Sequence, residues 1–306
     1  MAILHTHRRT LMLLERAKVH LDDDRVVYTE ADAKNSISRS WNIPSLNASV
    51  VIIGQGSSVT QPAVRKLADD GVLIAFVGTN GTPLICASQS YRPPEKLQAW
   101  IERWPSAAWR LMAAKHLQRA RIAAIRAAWG AYAKEGFSAS PEASIRPYEN
   151  AIETSADIRS LTGHEGTCTK ALYAEAARAA GISWSGRVQH DGNDRANRLL
   201  DQGNYLAYGV AGIALWAQGI PPSLPVVHGR SNAGGLVFDL ADVIKDAVVL
   251  PTVFRCAADL DLKGQAVRQR IIERLYGASF LDTNGCVGLL FRMIEELLAI
   301  PAEAKQ

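Results

Sequence analysis

The stretch LPVVHGRSNAGGLVFDLADVIKDA, residues 224–247, holds the densest set of groups in the chain that could bind a metal ion or move a proton. His228 follows a short apolar run and is flanked by glycine. Asp239 and Asp242 stand three positions apart where a helix is expected to open. That spacing puts both on one face of its first turn, and Asp246 continues the face a turn later. Carboxylate oxygens suit magnesium and manganese, and manganese also accepts an imidazole nitrogen. An ion held there would polarise a phosphate and activate an attacking hydroxyl. Ordinary helix chemistry offers a second reading: aspartate near a helix start accepts hydrogen bonds from free amides and favours the dipole with no metal present. On these residues alone both stand open.

A second carboxylate, Glu165 in SLTGHEGTCTKALY, is flanked by Gly163 and Gly166 with a helix expected soon after. It reads either as a ligand or as a first-turn helix carboxylate, and His164 beside it as a surface residue. Arg110, Lys115, Arg119 and Arg126, with Arg103 upstream, form a basic stripe that could neutralise a phosphate backbone. The alternative is a solvated helix face. Asn197 and the run GNYLAYG read as packing residues, and the seven tryptophans are too scattered to form a stacking platform.

The elements that must position these groups change texture along the chain. Up to about Ser90, short valine- and isoleucine-rich runs (AKVHL, RVVYTE, SISRSW, SVVIIG, VLIAFV, PLICA) alternate with Asp, Asn and Gly turns. Pro93 and Pro94 mark a break. Beyond it lie long alanine- and leucine-rich stretches with helical spacing; in one, Leu111, Ala114, Ile122, Ile125 and Trp129 share a face. The architecture reads as α+β: a β-rich domain with one packed helix over residues 1–90, then an all-helical domain over 91–306.

The lone helix of the first part follows VVIIGQGSSVTQPAVRKLADDG, which looks like a dinucleotide-binding turn. Its chemistry argues otherwise. Val59 occupies the third glycine position, and the next strand ends in Gly78, Thr79 and Asn80 with no acid for a ribose. The expectation is a structural turn with no nucleotide cofactor. Thr60 would cap the helix, Pro62 would sit in its first turn, Val64, Leu67 and Ala68 would face inward, and Gly71 would end it.

Composition narrows the classes. The chain has 306 residues, 48% hydrophobic and 21% charged, with a formal charge of +4. That balance allows nucleic acid without demanding it. No apolar window is long enough and free enough of charge to read as a membrane span. Cys86, Cys168, Cys256 and Cys286 are scattered without C-x-x-C pairing, which argues against a zinc ribbon or a disulfide framework and favours a reducing cytoplasm.

Five motifs now stand in order: GQGSSVTQPAVRKLADDGVLIAFVG, RPPEKLQAW, HEGTCTKALY, HDGNDRANRLLDQGNYLAYG and LPVVHGRSNAGGLVFDLADVIKDA. Together they closely resemble the CRISPR-associated spacer-acquisition integrases, the Cas-one endonucleases, and within them the type I-F branch. The resemblance runs from about Ile3 to the final helix. It implies an N-terminal β-domain for dimerisation and a helical catalytic domain with a divalent-metal site. Residue by residue, the family's glutamate falls on Glu165, its histidine on His228, its aspartate on Asp242 and the accompanying acid on Asp239. His164 stands where arginine is expected in this branch.

The implied activity is attack of a captured DNA 3′-hydroxyl on a phosphodiester at a CRISPR repeat boundary, assisted by Mg2+ or Mn2+. The implied partners are double-stranded DNA (prespacer and repeat), a second copy of the chain, and a Cas-two protein that in type I-F is fused to the Cas-three helicase–nuclease. The implied setting is the prokaryotic cytoplasm, with no membrane partner. Three other readings compete: a metal-dependent nuclease of repair or recombination using the same residues, a non-catalytic DNA-binding subunit whose acids only cap helices, and a nucleotide-binding oxidoreductase suggested by the glycine turn.

Overall fold

The computed structural model describes residues 8, 10–30, 40–76, 84–86, 95–188, 194–229, 234–262 and 264–302. The chain divides into two compact units, Met1–Pro93 and Pro94–Gln306. Pro93 and Pro94 themselves lie outside the described residues, as do parts of the runs SISRSW and PLICA.

In the first unit the β-branched run becomes β5 (Ala48–Ile53), buried at every position. A strand apolar on both faces belongs inside a sheet whose two sides are covered. It pairs in parallel with β1 (Thr10–Leu14) and β7 (Leu73–Phe76), and β8 (Leu84–Cys86) closes the sheet antiparallel to β7. The second sheet has the order β4-β3-β2-β6. Its hairpin joins β2 (Ala17–Asp22) to β3 (Arg25–Glu30) through Asp23 and Asp24, both left-handed at φ 45° and 58°. Two positive-φ residues are what a tight hairpin turn of matching twist requires. β4 (Ser40–Asn42) and the two-residue β6 (Ser58–Val59) flank it.

Helix α1 (Gln61–Asp69) begins after Thr60 with Pro62 in its first turn, and Gly71 follows at φ 70°. Two details differ from expectation. The Thr60 side chain accepts no capping bond, and Ala63 and Leu67 are the buried residues, with Val64 partly buried against them. The glycine pair serves packing. A Cβ on Gly54 would sit 2.5 Å from Glu15 Cγ, so only glycine lets the end of β5 approach the β1–β2 connection.

Among the described residues of the second unit the regular elements are helices. Helix α2 spans Glu95–Arg103, α3 Ala107–Ala133, α4 Glu142–Thr154, α5 Ile158–Ala179 and α6 Arg195–Gln218. Helix α7 spans Gly235–Ile244, α8 Leu250–Ala258, α9 Gly264–Gly277 and α10 Gly285–Ala299. Three starts carry side-chain caps: Ser106 accepts from Trp109 N, Asp157 from Ser160 N and Asp194 from Asn197 N. Helix α3 is buried on most of its circumference rather than on one stripe, with Leu111 only half-buried, and packs against α4, α5, α7 and α10. Helix α6 touches α7, α8, α9 and α10. Asn197, expected as packing, is instead a buried polar staple that bonds Gly186 O and Val188 N. Among the described residues no helix is long and apolar enough to cross a membrane.

Between α7 and α8 the helix widens into a π turn, Lys245–Val249. Pro251 explains it. Proline brings no N–H and its ring clashes with the carbonyl a normal turn back, so a wider turn relieves the strain. The carbonyl of Asp246 is then met from outside by the Trp129 indole N–H at 2.8 Å.

Candidate functional site

The loop carrying His228 is built against α2 and α7. Trp100 of α2 and Trp104, just after it, donate indole N–H bonds to the carbonyls of Leu224 and Pro225 at 3.3 and 2.8 Å. On the other side Gly235 opens α7, where a Cβ would lie 2.7 Å from the Pro225 ring. Asp239 completes the assembly. Its carboxylate accepts the amides of Val226, Val227 and His228 at 2.5, 3.1 and 2.9 Å, and meets His228 Nδ1 at 2.7 Å.

The placement of Asp239 differs from expectation. The residue stands one turn inside α7, not at its start, and its carboxylate is fully buried. Both oxygens bond the loop, one of them also meeting the His228 ring. With Nδ1 held, the other ring nitrogen, Nε2, is the one left to act.

Asp242 sits two turns into α7, likewise beyond the first turn. Its carboxylate accepts a bond from Lys245 Nζ at 2.6 Å, and that ammonium also lies 5.3 Å from the Tyr208 ring centroid. Glu165 differs from expectation more sharply. Gly163 and Gly166 do not form a loop; all three residues lie inside the long helix α5, which starts earlier at the Asp157 cap.

Arg121, at the middle of α3, joins these elements. Its Nη1 donates to Glu165 Oε1 at 2.5 Å and its Nε to Asp246 Oδ2 at 3.0 Å, while Nη2 reaches Thr169 at 2.7 Å and Asp246 as well. The side chain is only 5% exposed. Sequence reasoning passed over it and chose its more exposed neighbours. The signal was there: Leu117, Arg121 and Ile125 recur every fourth residue on an apolar face, and a cation there needs an acidic partner. Asp246, expected to extend the Asp239–Asp242 face, is turned by the π turn onto Arg121 instead.

The charges act on one another. Burial pushes the Glu165 carboxyl above its ordinary range; Arg121 pulls it back, and the negative charges of Asp242 and Asp246 add to the rise. Asp242 moves the other way. Burial opposes its ionisation, but Lys245, Arg121 and His228 hold it below the usual carboxylate value. Burial also disfavours a charged His228, yet the bond to Asp239 and the charges of Asp242, Asp239 and Glu165 outweigh that and raise the imidazole. Glu165, His228 and Asp242, from α5, a loop and α7, therefore share one electrostatic environment.

Among the described residues no three His, Cys, Asp or Glu side chains close on a common point as a ready-made metal cage. The donor set nonetheless fits a divalent cation by charge. Four carboxylates (Glu165, Asp239, Asp242, Asp246) face two fixed cations, Arg121 and Lys245, so the cluster carries a net charge of −2 with His228 neutral. A partly buried excess of two negative charges is the imbalance a hard divalent ion removes.

The basic stripe is engaged within the unit. Arg103 bonds Ile300 O and Ala99 O; Arg110 bonds Trp104 O and Pro105 O; Lys115 bonds Glu153 O. Arg119 forks onto Glu153, and Arg126 onto Glu142 and Glu149. Of these, Arg119 keeps half its side chain exposed, with an equally exposed partner.

Comparison with known proteins bears on the whole chain. The family model "CRISPR associated protein Cas1" matches residues 11–271. The CRISPR-associated endonucleases Cas1 of Pseudomonas aeruginosa (strain UCBPP-PA14) and Pectobacterium atrosepticum are each 38% identical to it over 299 residues, covering 92% of this chain and 91% of theirs. Three solved structures share the fold at 14–23% identity. They are the TtCas1–DNA complex (TM-score 0.65, covering 96% of this chain and 95% of that one) and a casposase bound to integration product (0.73; 96% and 92%). The third is a Cas6-RT-Cas1–Cas2 complex (0.66; 95% and 35%). With the model spanning most of its length and relatives this similar from end to end, the chain belongs to the CRISPR-associated Cas1 family.

Proposed function

We propose that this chain is a divalent-metal-dependent DNA endonuclease and integrase that inserts captured DNA into a CRISPR array. The observation carrying the proposal is the cluster of Glu165, Asp239, Asp242 and Asp246 around His228, whose two fixed cations, Arg121 and Lys245, leave two negative charges unbalanced. The endonuclease relatives and the casposase with its integration product support the reaction class.

In this reading Glu165, Asp242 and the Nε2 of His228 hold Mg2+ or Mn2+. When bound, the ion neutralises charge developing on the phosphodiester and acidifies a bound hydroxyl or water. The protein's own groups do the rest. Asp239 fixes the imidazole, Arg121 and Lys245 hold the carboxylates in place, and Trp100 and Trp104 hold the loop. The 3′-oxygen of the incoming DNA loses its proton and forms the new bond to phosphorus as the 3′-oxygen of the target strand on the 5′ side of that phosphate leaves and is protonated; water in place of the incoming hydroxyl gives hydrolysis. Partners follow the same reasoning: DNA, as in the TtCas1–DNA complex, here proposed as duplex, and a Cas2 protein, as in the Cas6-RT-Cas1–Cas2 complex. Homodimerisation through the β-unit and a Cas3-fused Cas2 belong to the type I-F resemblance.

A strand-transfer assay tests this. Labelled 3′-hydroxyl DNA is incubated with a supercoiled plasmid bearing a repeat array and Mg2+ or Mn2+. Wild type should give branched, joined products, and Glu165→Ala, His228→Ala and Asp242→Ala should give none. Equal products from Glu165→Ala would overturn the site assignment. Cleavage without joining would instead favour a metal-dependent nuclease of repair or recombination.

A further inference from the structure

Tyr148 lies on α4, a helix that supplies none of the acidic residues of the cluster around His228. The side chain is 3% exposed, and its hydroxyl is sealed from solvent with no hydrogen-bond partner among the described residues. Phenylalanine would fill the same space without stranding a polar atom, so the oxygen is a cost to the folded protein as it stands. Helix α4 packs against α5 and α3, the helices that carry Glu165 and Arg121, and the charges of Arg121, Glu165 and Asp242 act on the phenol. Burial and those two carboxylates push the phenol well above its ordinary value, which leaves it a donor at any working pH.

Glu165 is the neighbour that can use such a donor. One of its oxygens, Oε1, is held by Arg121 Nη1, which also donates to Gln118, while the other two nitrogens are committed to Asp246 and Thr169. A carboxylate that turns toward an ion keeps its direction only if its remaining oxygen is held by a hydrogen bond. We propose that Tyr148 is a positioning residue for Glu165, its hydroxyl donating to the Glu165 carboxylate when that carboxylate takes up a divalent cation. The inference rests on the metal-binding reading above, and it gives a use to a buried hydroxyl with no hydrogen-bond partner among the described residues.

The test is Tyr148→Phe in the full chain, with Mn2+ itself as probe. Two quantities are read: the thermal midpoint of the metal-free protein, and the Mn2+ dissociation constant by calorimetry or by the electron-spin-resonance signal of free Mn2+. The inference expects a metal-free midpoint equal to or above wild type together with Mn2+ binding weakened about tenfold. A purely structural hydroxyl would do the reverse, lowering the midpoint and leaving the affinity alone. Glu165→Ala runs alongside. If it abolishes Mn2+ binding while Tyr148→Phe binds as wild type does, the role of Tyr148 is overturned and the metal site stands. If Glu165→Ala binds Mn2+ as tightly as wild type, the metal reading falls and this inference falls with it.

Discussion

Replacing Arg121 with methionine puts the buried charge network to a quantitative test. The guanidinium bonds Asp246 through two nitrogens and Glu165 through a third, and both its own side chain and that of Asp246 are 5% exposed or less. Methionine keeps the length and the packing but leaves the Asp246 carboxylate buried without its cation. Removing one member of such a pair costs about 3–5 kcal/mol. At about 2–4 °C per kcal/mol for a unit of this size, the midpoint should fall by roughly 6–20 °C. Differential scanning calorimetry of the metal-free protein reads the shift directly. The control is Arg121→Met combined with Asp246→Leu. An apolar pair of similar volume often stands in for a buried ion pair at little cost, so the double variant should regain most of the loss, with a coupling of at least ~2 kcal/mol. A loss under about 1 kcal/mol in Arg121→Met, or strictly additive losses in the double variant, would refute the account of Arg121 as the cluster's counter-charge.

Other outcomes follow from single contacts. Asp239→Asn sets an amide nitrogen against a cluster of three backbone donors and loosens His228, so Mn2+ affinity by calorimetry should drop about 10–100-fold; an unchanged affinity would remove Asp239 from the site. The raised His228 value carries a pH signature. In the metal-free protein its stabilising contribution is fully present below the unfolded value of about 6.5 and is lost as pH rises through the folded value. The midpoint difference between wild type and His228→Gln should therefore shrink with rising pH, while Mn2+ affinity, which needs the neutral ring, grows; opposite slopes would contradict the assigned bond to Asp239. Arg119→Ala should lower the slope of log DNA affinity against log salt by about one if Arg119 exchanges Glu153 for a phosphate, and an identical slope would leave it a solvated ion pair.

Strand and helix types were legible wherever local chemistry decides them. The all-apolar β5, the Asp-Asp hairpin and the Pro62–Gly71 frame of α1 each announce themselves within a few residues. β6 was not legible, because two residues carry no periodicity and it exists only as a partner for β2. Glu165 was misplaced in a loop because two glycines read as a break. A 22-residue helix with an Asp157 cap absorbs their cost, which is about 1 kcal/mol each at most. Asp239 shows the deeper limit. Its type and position marked it as functional, but its partners are amides of a loop eleven to thirteen residues back, and only the tertiary fold brings them to it. Arg121 and Lys245 were hidden for the same reason, since a cation's purpose lies in the acid it meets. The tryptophans were discounted as aromatic surfaces, whereas Trp100, Trp104 and Trp129 act here through their N–H groups.

The widened turn at Lys245–Val249 makes the helix pair α7–α8 behave as two gears on a slipped shaft. One residue more than a regular helix needs is wound into the turn, which rotates everything after it by about 100° relative to everything before. The α7 side presents Asp239 and Asp242 to the site, while the α8 side is free to present Val253 and Phe254 to the core without sharing that register. Deleting one residue within 247–249 would restore regular hydrogen bonding yet force one gear out of mesh, sacrificing either the acidic face or the core face. Substitution can tune each half separately; a change of length cannot.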